Sequence, residues 1–331
     1  MLIPRCIMLS NLPIKRIPLP TPFPVGDVNA YLIISDPLTI IDPGLYYQPA
    51  EDFLNRSLKE SGLELKDIKR IVITHGHPDH YGIAGKIQRE AGSEVLVRDS
   101  EVEKLELTPG YIENMLKTML TTGITREALK MDGLYRGEVP FTHPIDSIKT
   151  YSGDCLLGFD GFELRLLHTP GHSGGHTSLF WEDKGVLFSG DMLLPKITAI
   201  TLIDYDPRKK NLRGRSLAHM LKSMELVGNI NPSLCLPGHG DPVSEPSALA
   251  RSRIEFHKGR LEEIYNIVPA GRESAAAPYS LSRVYYPHVK GFDIFLAVVE
   301  VVSHLDYLAD EGRIEEYIDE KGVSRFYRRQ H

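Results

Sequence analysis

Four potential metal ligands, His75, His77, Asp79 and His80, fall within the six residues from 75 to 80, in the run Thr74-His-Gly-His-Pro-Asp-His80. Imidazoles and carboxylates are costly to bury together unless something compensates them, so a cluster this dense asks for cations. His75 and His77, two apart in an extended segment, can point the same way and share one ion. Asp79 and His80 lie past the turn and can reach a second. Three further candidates stand singly: His172 in Thr169-Pro-Gly-His-Ser173, Asp191 in Ser189-Gly-Asp191, and His239 in Pro237-Gly-His-Gly240. Glycine beside each lets the backbone turn sharply and approach closely. If Asp191 bridges, His75, His77 and His172 complete one site, and Asp79, His80 and His239 complete the other. Zinc is the default pair of divalent ions, with iron or manganese suited to the same donors.

These residues need elements that deliver them to one place. The apolar run Ile71-Val-Ile73 reads as a strand that hands the first cluster to a loop, and residues 79–91 read as a helix with Asp79 as its N-cap. Short strands are expected at Asn29–Ser35 and Thr39–Ile41, joined by an Asp36-Pro37 turn, and at Glu94–Arg98, Cys155–Leu157, Glu163–Leu167, Thr177–Trp181, Gly185–Phe188 and Leu234–Leu236. Polar groups recur at the strand ends. Helical spacing covers 50–61, 216–227 and 247–267. Residues 100–150 interrupt the rhythm with helices near 100–106, 111–121 and 125–130, and read as an inserted helical cap. There, Met115, Leu116, Met119 and Leu120 form a stripe that either packs on the core or lids a substrate. A Gly/Ser/Ala/Pro-rich stretch up to Pro278 reads as a linker. Helical spacing at 293–309 and a small hairpin follow. The expected division is a catalytic domain at 1–268 and a winged-helix-like module at 279–331.

A chain of 331 residues with 42% hydrophobic and 25% charged content is ordinary globular material, not a disordered tract. The formal charge of -6 gives no global attraction to nucleic acid or anionic membranes. Three cysteines, Cys6, Cys155 and Cys235, without metal-type pairing fit a reducing cytoplasm better than a disulfide framework. Met1–Leu12 lacks the continuous apolar region of a signal peptide, and the longest apolar runs are too short to span a bilayer. No membrane association is expected.

The seven candidate ligands, in this order on this strand pattern, resemble the metallo-β-lactamase superfamily, whose motifs run HxHxDH, a lone His, a bridging Asp and a final His. The resemblance spans roughly residues 25–265. It implies an α/β (α+β) fold, a four-layer αββα sandwich with the metals at one edge. True β-lactamases usually carry Cys or Ser where this chain has Asp191, and flavin-linked di-iron reductases carry Glu where it has His77, so both branches recede. Ser303–Ile314 and the helix Arg253–Arg260 look like the winged-helix extension of the β-lactamase-like endoribonuclease and hydroxyacylglutathione-hydrolase-like group. The PxKxRN motif of tRNA 3′-processing relatives is not found.

The class implies a binuclear hydrolase in which a water between two ions, roughly 3.5–4 Å apart, attacks as hydroxide while one ion polarises the scissile bond. Asp79 is the candidate catalytic residue, ligating one ion and orienting the water. The expected substrate is a small-molecule ester or thioester. Alternatives are a phosphodiesterase or ribonuclease drawing on the tail arginines Arg313, Arg325, Arg328 and Arg329, a mononuclear iron persulfide dioxygenase using His75, His77 and His172, or a non-catalytic sensor of a metabolite or nucleic acid. A nucleic-acid partner is not favoured, and a homo-oligomer is left open. His168 and His176 are expected beside the ligands, not among them. Asp42 is a candidate hydrogen-bond partner for a ligand imidazole. His257, with Arg260 a turn away, is a candidate cleft residue set against a solvated helix face, and His143 in the cap is equally open.

Overall fold

The computed structural model describes residues 12–131, 141–206 and 208–329. The expected absence of a signal peptide in Met1–Leu12 and the cap stretch 132–140 therefore lie almost wholly outside the described residues.

Two sheets face each other. The first runs in the order β1-β2-β3-β4-β5-β6, from strands β1 (Ile14–Leu19), β2 (Val28–Ile33), β3 (Thr39–Ile41), β4 (Arg70–Val72), β5 (Glu94–Arg98) and β6 (Lys149–Tyr151). The second runs β11-β10-β9-β8-β7, from β7 (Cys155–Phe159), β8 (Phe162–His168), β9 (Thr177–Trp181), β10 (Val186–Gly190) and β11 (Leu234–Pro237). Tyr31, Ile33, Ile41 and Val72 from one sheet meet Leu164, Leu166, Leu179 and Phe188 from the other in an inter-sheet core. Helices α1 (Gln48–Lys59) and α3 (Ala84–Ala91) cover the outer face of the first sheet through Leu54, Leu58 and Ile87. On the second sheet, α7 (Ser216–Ile230) packs through Met220, Met224 and Val227, and α8 (Pro246–Ile267) joins it. The layers are those of an αββα sandwich.

The sequence reading misses β1, because a proline-rich segment argues against a strand. β1 lies at the sheet edge, where Pro18 costs no ladder hydrogen bond to a further strand. The expected helix at 79–91 divides into α2 (Pro78–Tyr81) and α3, with His77 as the N-cap of α2. Asp79 therefore sits inside the first turn, and its carboxylate faces the site rather than capping.

The insertion folds as α4 (Val102–Glu106), α5 (Pro109–Leu120) and α6 (Arg126–Met131). Met119, with Leu116 and Leu120 beside it, packs on Phe295, Val298 and Val299 of α10 (Phe292–Asp310), so α5 is a buttress and not a lid. The tail adds α9 (Pro278–Tyr285), α10, β12 (Glu315–Ile318) and β13 (Ser324–Tyr327). Leu281, Val301, Leu305 and Phe326 share one apolar cluster with Leu217 of α7 and Leu261 of α8. The stretch read as a linker is pinned to β13 by bridges Ala270–Arg328 and Ala276–Phe326. Arg213, fully buried, joins the catalytic layer to insertion and tail: it bonds Thr121, Asp306, Glu316 and Ser324.

Candidate metal centre

Each candidate ligand follows the C-terminal end of a strand: β4 precedes the His75–His80 run, β8 precedes His172, β10 precedes Asp191 and β11 precedes His239. β4 comes from the first sheet and β8, β10 and β11 from the second, so the seven side chains meet where the ends of both sheets come together at one edge of the sandwich. Two glycines make the approach sterically feasible. Gly190 takes a left-handed φ of 49°, and a Cβ on Gly238 would stand 2.2 Å from Asp191 Oδ1.

The donors sort into two groups. His75 Nε2 and His172 Nε2 lie 2.8 and 2.9 Å from His77 Nδ1. Across from them, His239 Nε2 lies 3.3 Å from Asp79 Oδ2, and His80 Nε2 lies 3.9 Å from the same atom. Asp191 stands between: its carboxylate is 3.4 Å from His80, 3.5 Å from His239 and 3.7 Å from His172. Both three-residue groups hold their donor atoms within 4.8 Å of one another.

The opposite ring nitrogens reveal which atoms are free. His80 Nδ1 donates to Asp42 Oδ2 at 2.8 Å, His172 Nδ1 to the Ile200 carbonyl at 2.8 Å and His239 Nδ1 to the Asp27 carbonyl at 2.8 Å. The Thr74 hydroxyl donates to Asp42 Oδ2 at 2.7 Å, so at 2.9 Å it accepts from His75 Nδ1. Four histidines thus turn Nε2 inward, the arrangement in which an outer partner fixes a metal-binding tautomer. Among the described residues, His80 Nε2, His239 Nε2 and Asp191 Oδ1 are buried without a hydrogen-bond partner. A buried atom of this kind carries a desolvation cost that a cation would remove, and the donor set fits two divalent ions.

Electrostatics agree with that. Burial, reinforced by neighbouring histidines, holds His75 and His77 well below the ordinary imidazole range, so both are neutral. Burial opposes protonation of His80 too, but the carboxylates of Asp191, Asp79 and Asp42 overcome it and raise its pKa well above the usual value. Burial pushes against ionisation of Asp79, yet His80 and His239 pull its pKa down to about 2. The His80 side of the site is therefore a pocket of negative potential.

Several organising residues carry no local sequence signal. Glu101, fully buried at the start of the insertion, accepts from the Gly76 and Gly175 amides at 2.8 and 2.6 Å and from Ser173 Oγ at 2.9 Å. It ties the loop of His77 to the loop of His172. His176 accepts the Asp191 amide through Nε2 at 3.1 Å and meets Thr169 through Nδ1 at 2.9 Å, so it positions Asp191 without ligating. His168 is exposed and bonds the Gly174 carbonyl. His143 is half-buried and stacks edgewise on Tyr46. His257 reaches neither cleft nor solvent: it is fully buried, with Nδ1 3.2 Å from His304 Nε2.

The site opens into a cavity of about 750 Å³ lined by His77, Asp79, His172, Asp191 and His239, and on its other sides by Arg16, Pro18, residues 24–27, Asn29, residues 194–200, 240–241 and Leu296. Among the described residues, none of the 100–150 insertion lines it.

The family model described as "Metallo-beta-lactamase superfamily" matches residues 23–239. The chain belongs to the metallo-β-lactamase superfamily, as a metal-binding hydrolase. It is 28% identical over 303 residues to "Probable metallo-hydrolase YqjP" of Bacillus subtilis, covering 90% of this chain and 92% of that one. It is 30% identical over 155 residues to "Hydroxyacylglutathione hydrolase GloC" of Haemophilus influenzae, covering 46% and 60%. A metallo-beta-lactamase family protein from Thermus thermophilus superposes with a TM-score of 0.81 at 25% identity, covering 96% of this chain and 99% of that chain. Among the described residues no helix is long and apolar enough to cross a membrane.

Proposed function

We propose that the protein is a binuclear hydrolase of small-molecule esters or thioesters, with His75, His77, His172 and Asp191 holding one ion and Asp79, His80, His239 and Asp191 the other. The observation that carries this reading is the second donor group. Asp79, His80 and His239 bring their donor atoms within the same 4.8 Å limit as the first three, and two of their inward nitrogens are buried with no partner among the described residues. A mononuclear iron enzyme working at the His75 side would not need them. Zinc is the first candidate, and iron or manganese suit the same donors.

Two divalent ions there would supply Lewis acidity, lowering the pKa of water toward neutrality and drawing charge from a carbonyl oxygen. The chain's own groups do the rest. Asp79 is ionised at neutral pH and lines the cavity, so it accepts a hydrogen bond from water and fixes its direction. Asp42 and Thr74 hold the tautomers of His80 and His75. Glu101 keeps the two His-bearing loops at a fixed separation. The thioester class draws support from the relative named as a hydroxyacylglutathione hydrolase.

The tail arginines weaken the ribonuclease reading. Arg313 pairs with Glu262, Arg325 with Asp319 and Arg329 with Glu315, and Arg328 bonds the Val268 carbonyl. Three of the four cations are paired with carboxylates and the fourth is held by a backbone carbonyl, so the four make no free track for phosphates. The test is hydrolysis of a thioester, a lactone and a bis-phosphodiester by the metal-loaded protein and by Asp79→Ala. A thioester or lactone preference, with kcat/KM falling about 10³-fold in a folded Asp79→Ala protein, is expected. Turnover of the phosphodiester alone, or Asp79→Ala retaining wild-type activity, would overturn the proposal.

A further inference from the structure

The cavity at the metal ligands has a second character that the ligands do not explain. Away from them, Val25 on the β1–β2 loop, Leu194, Ile197 and Ile200 on the loop after Asp191, and Leu296 on α10 form an apolar lining. At its mouth, Val25 is 37% and Ile197 is 47% exposed, on two loops separate in sequence. Phe23, beside Val25, is 36% exposed. Large apolar side chains gathered in solvent around a catalytic opening lose the transfer free energy that burial would return, and such patches mark what they are built to cover.

Asp27, Lys196 and Asp241 also line the cavity, Lys196 exposed at its rim, and the cation on the β1 side is already engaged. Arg16 lines the cavity, but its Nε donates to Asn29 Oδ1 at 2.8 Å and its Nη1 lies 3.5 Å from Asp241. That guanidinium is held by the protein and is not left to recognise a substrate anion. A cavity of about 750 Å³ is also far larger than an acetyl group requires and falls in the range that encloses a drug-sized ligand.

We infer that this apolar lining is an acyl-chain subsite, and that the substrates are esters or thioesters whose acyl group is an extended hydrocarbon running from the metal ligands past Leu194, Ile200 and Leu296 to Val25 and Ile197. The inference rests on the hydrolase reading. In the reaction, water adds at the acyl carbon, the carbon–sulfur or carbon–oxygen bond breaks, the leaving thiol or alcohol departs with a proton, and the acyl group becomes a carboxylic acid. Contact with the hydrocarbon brings the chain-length preference, and the continuity of this lining with His77, Asp79 and His172 in one cavity sets its direction.

The test uses S-acyl N-acetylcysteamine thioesters from acetyl to octanoyl on the metal-loaded full chain. Calorimetric binding of the non-cleavable S-ethyl and S-octyl thioethers runs alongside. Burial of each added methylene is worth up to about fourfold in kcat/KM, so octanoyl should exceed acetyl by at least about tenfold, and S-octyl should bind more tightly than S-ethyl. In Val25→Asp and Ile197→Asp the octanoyl-to-acetyl ratio should collapse toward one. Because a carboxylate so near the ligands could act by charge, Val25→Ser and Ile197→Ser should lower the ratio in the same direction. Hydrolysis with no dependence on chain length, or a dependence that all four substitutions leave intact, would overturn the subsite. If no thioester is cleaved while S-octyl still binds more tightly than S-ethyl, the subsite stands and the hydrolase reading falls. If neither is seen, both fall.

Discussion

The metal-ligand cluster and the Arg213 cluster are both buried and charged, and both are built from residues scattered along the chain, yet they complete their valences in opposite ways. Arg213 directs its five N–H groups to Asp306, Glu316, Thr121 and Ser324, so that every donor is used. Around Asp191 the outward-facing nitrogens of His80, His172 and His239 are all used, while the inward-facing His80 Nε2, His239 Nε2 and Asp191 Oδ1 have no hydrogen-bond partner among the described residues. One cluster closes on itself and holds layers together. The other is closed on its outer side only, so it fits a ligand the chain does not provide. Burial of polar groups therefore says little about function until the partners of each atom are counted.

The comparison should break most visibly at Arg213. Arg213→Met removes the central cation and leaves Asp306 and Glu316 facing each other with only Arg215, 3.6 Å from Asp306, and the Asn211 amide, 2.9 Å from Glu316, as partners among the described residues. A loss of about 3–5 kcal/mol in urea unfolding is expected, with metal content per folded molecule unchanged. A smaller loss would mean that the two carboxylates find other partners and that the cluster is not what joins tail to catalytic layer.

Substitutions next to the ligands should act in the reverse sense, on metal affinity more than on folding. Gly238→Ala puts a methyl 2.2 Å from Asp191 Oδ1 and 2.8 Å from His80 Cε1. Asp42→Asn weakens the acceptor of His80 Nδ1 and of the Thr74 hydroxyl. Each should lower metal affinity about 10–100-fold in competition with a chromophoric chelator, while the thermal midpoint of the metal-free protein moves little.

A third buried group sharpens the contrast. His257 and His304 face each other between α8 and α10. Burial, reinforced at His257 by the His304 ring and at His304 by Arg260, pushes their pKa values down to about 4 and about 3. This pair adapts to burial by staying neutral. Unfolded histidine binds a proton near pH 6.5 and the folded pair does not, so the unfolded chain holds more protons over the interval down to about 4. Stability should then fall as pH drops from about 6.5 toward 4, by up to about 1.4 kcal/mol per pH unit for each histidine. A His257→Phe, His304→Leu double variant should show a shallower acid slope in urea titrations. An unchanged slope would assign the acid sensitivity to other groups.

The parts of this molecule that sequence makes legible are those written in short contiguous runs. His75 to His80 lie within one turn of chain, and His172, Asp191 and His239 each follow an apolar strand run and sit beside glycine, so their meeting can be foreseen from the pattern. The sandwich is what the family resemblance carried by these motifs implies. What stays hidden depends on partners remote in sequence. Glu101 reads as one more acid in a polar helix start, and its contacts to Gly76, Ser173 and Gly175 exist only after folding. Arg213, in Lys209-Lys-Asn-Leu-Arg213-Gly-Arg215, belongs to no motif or apolar period that would single it out. β1 is obscured by Pro18, which is harmless only because the strand is at an edge. α5 shows an apolar stripe but not which surface it covers, and the tail helices supply that surface. His257 shows a helical position but not the face, because α10, which covers it, lies some forty residues further along the chain.

The central claim, that the inward-facing donors form two sites sharing Asp191, is tested most directly by adding zinc to chelator-stripped protein while following bound metal and thioester hydrolysis together. The account predicts saturation at two equivalents per chain, full activity only when both are bound, and a limit of one equivalent in His239→Ala. Saturation at one equivalent in the wild type, with His80→Ala and His239→Ala each as active as the parent, would contradict it.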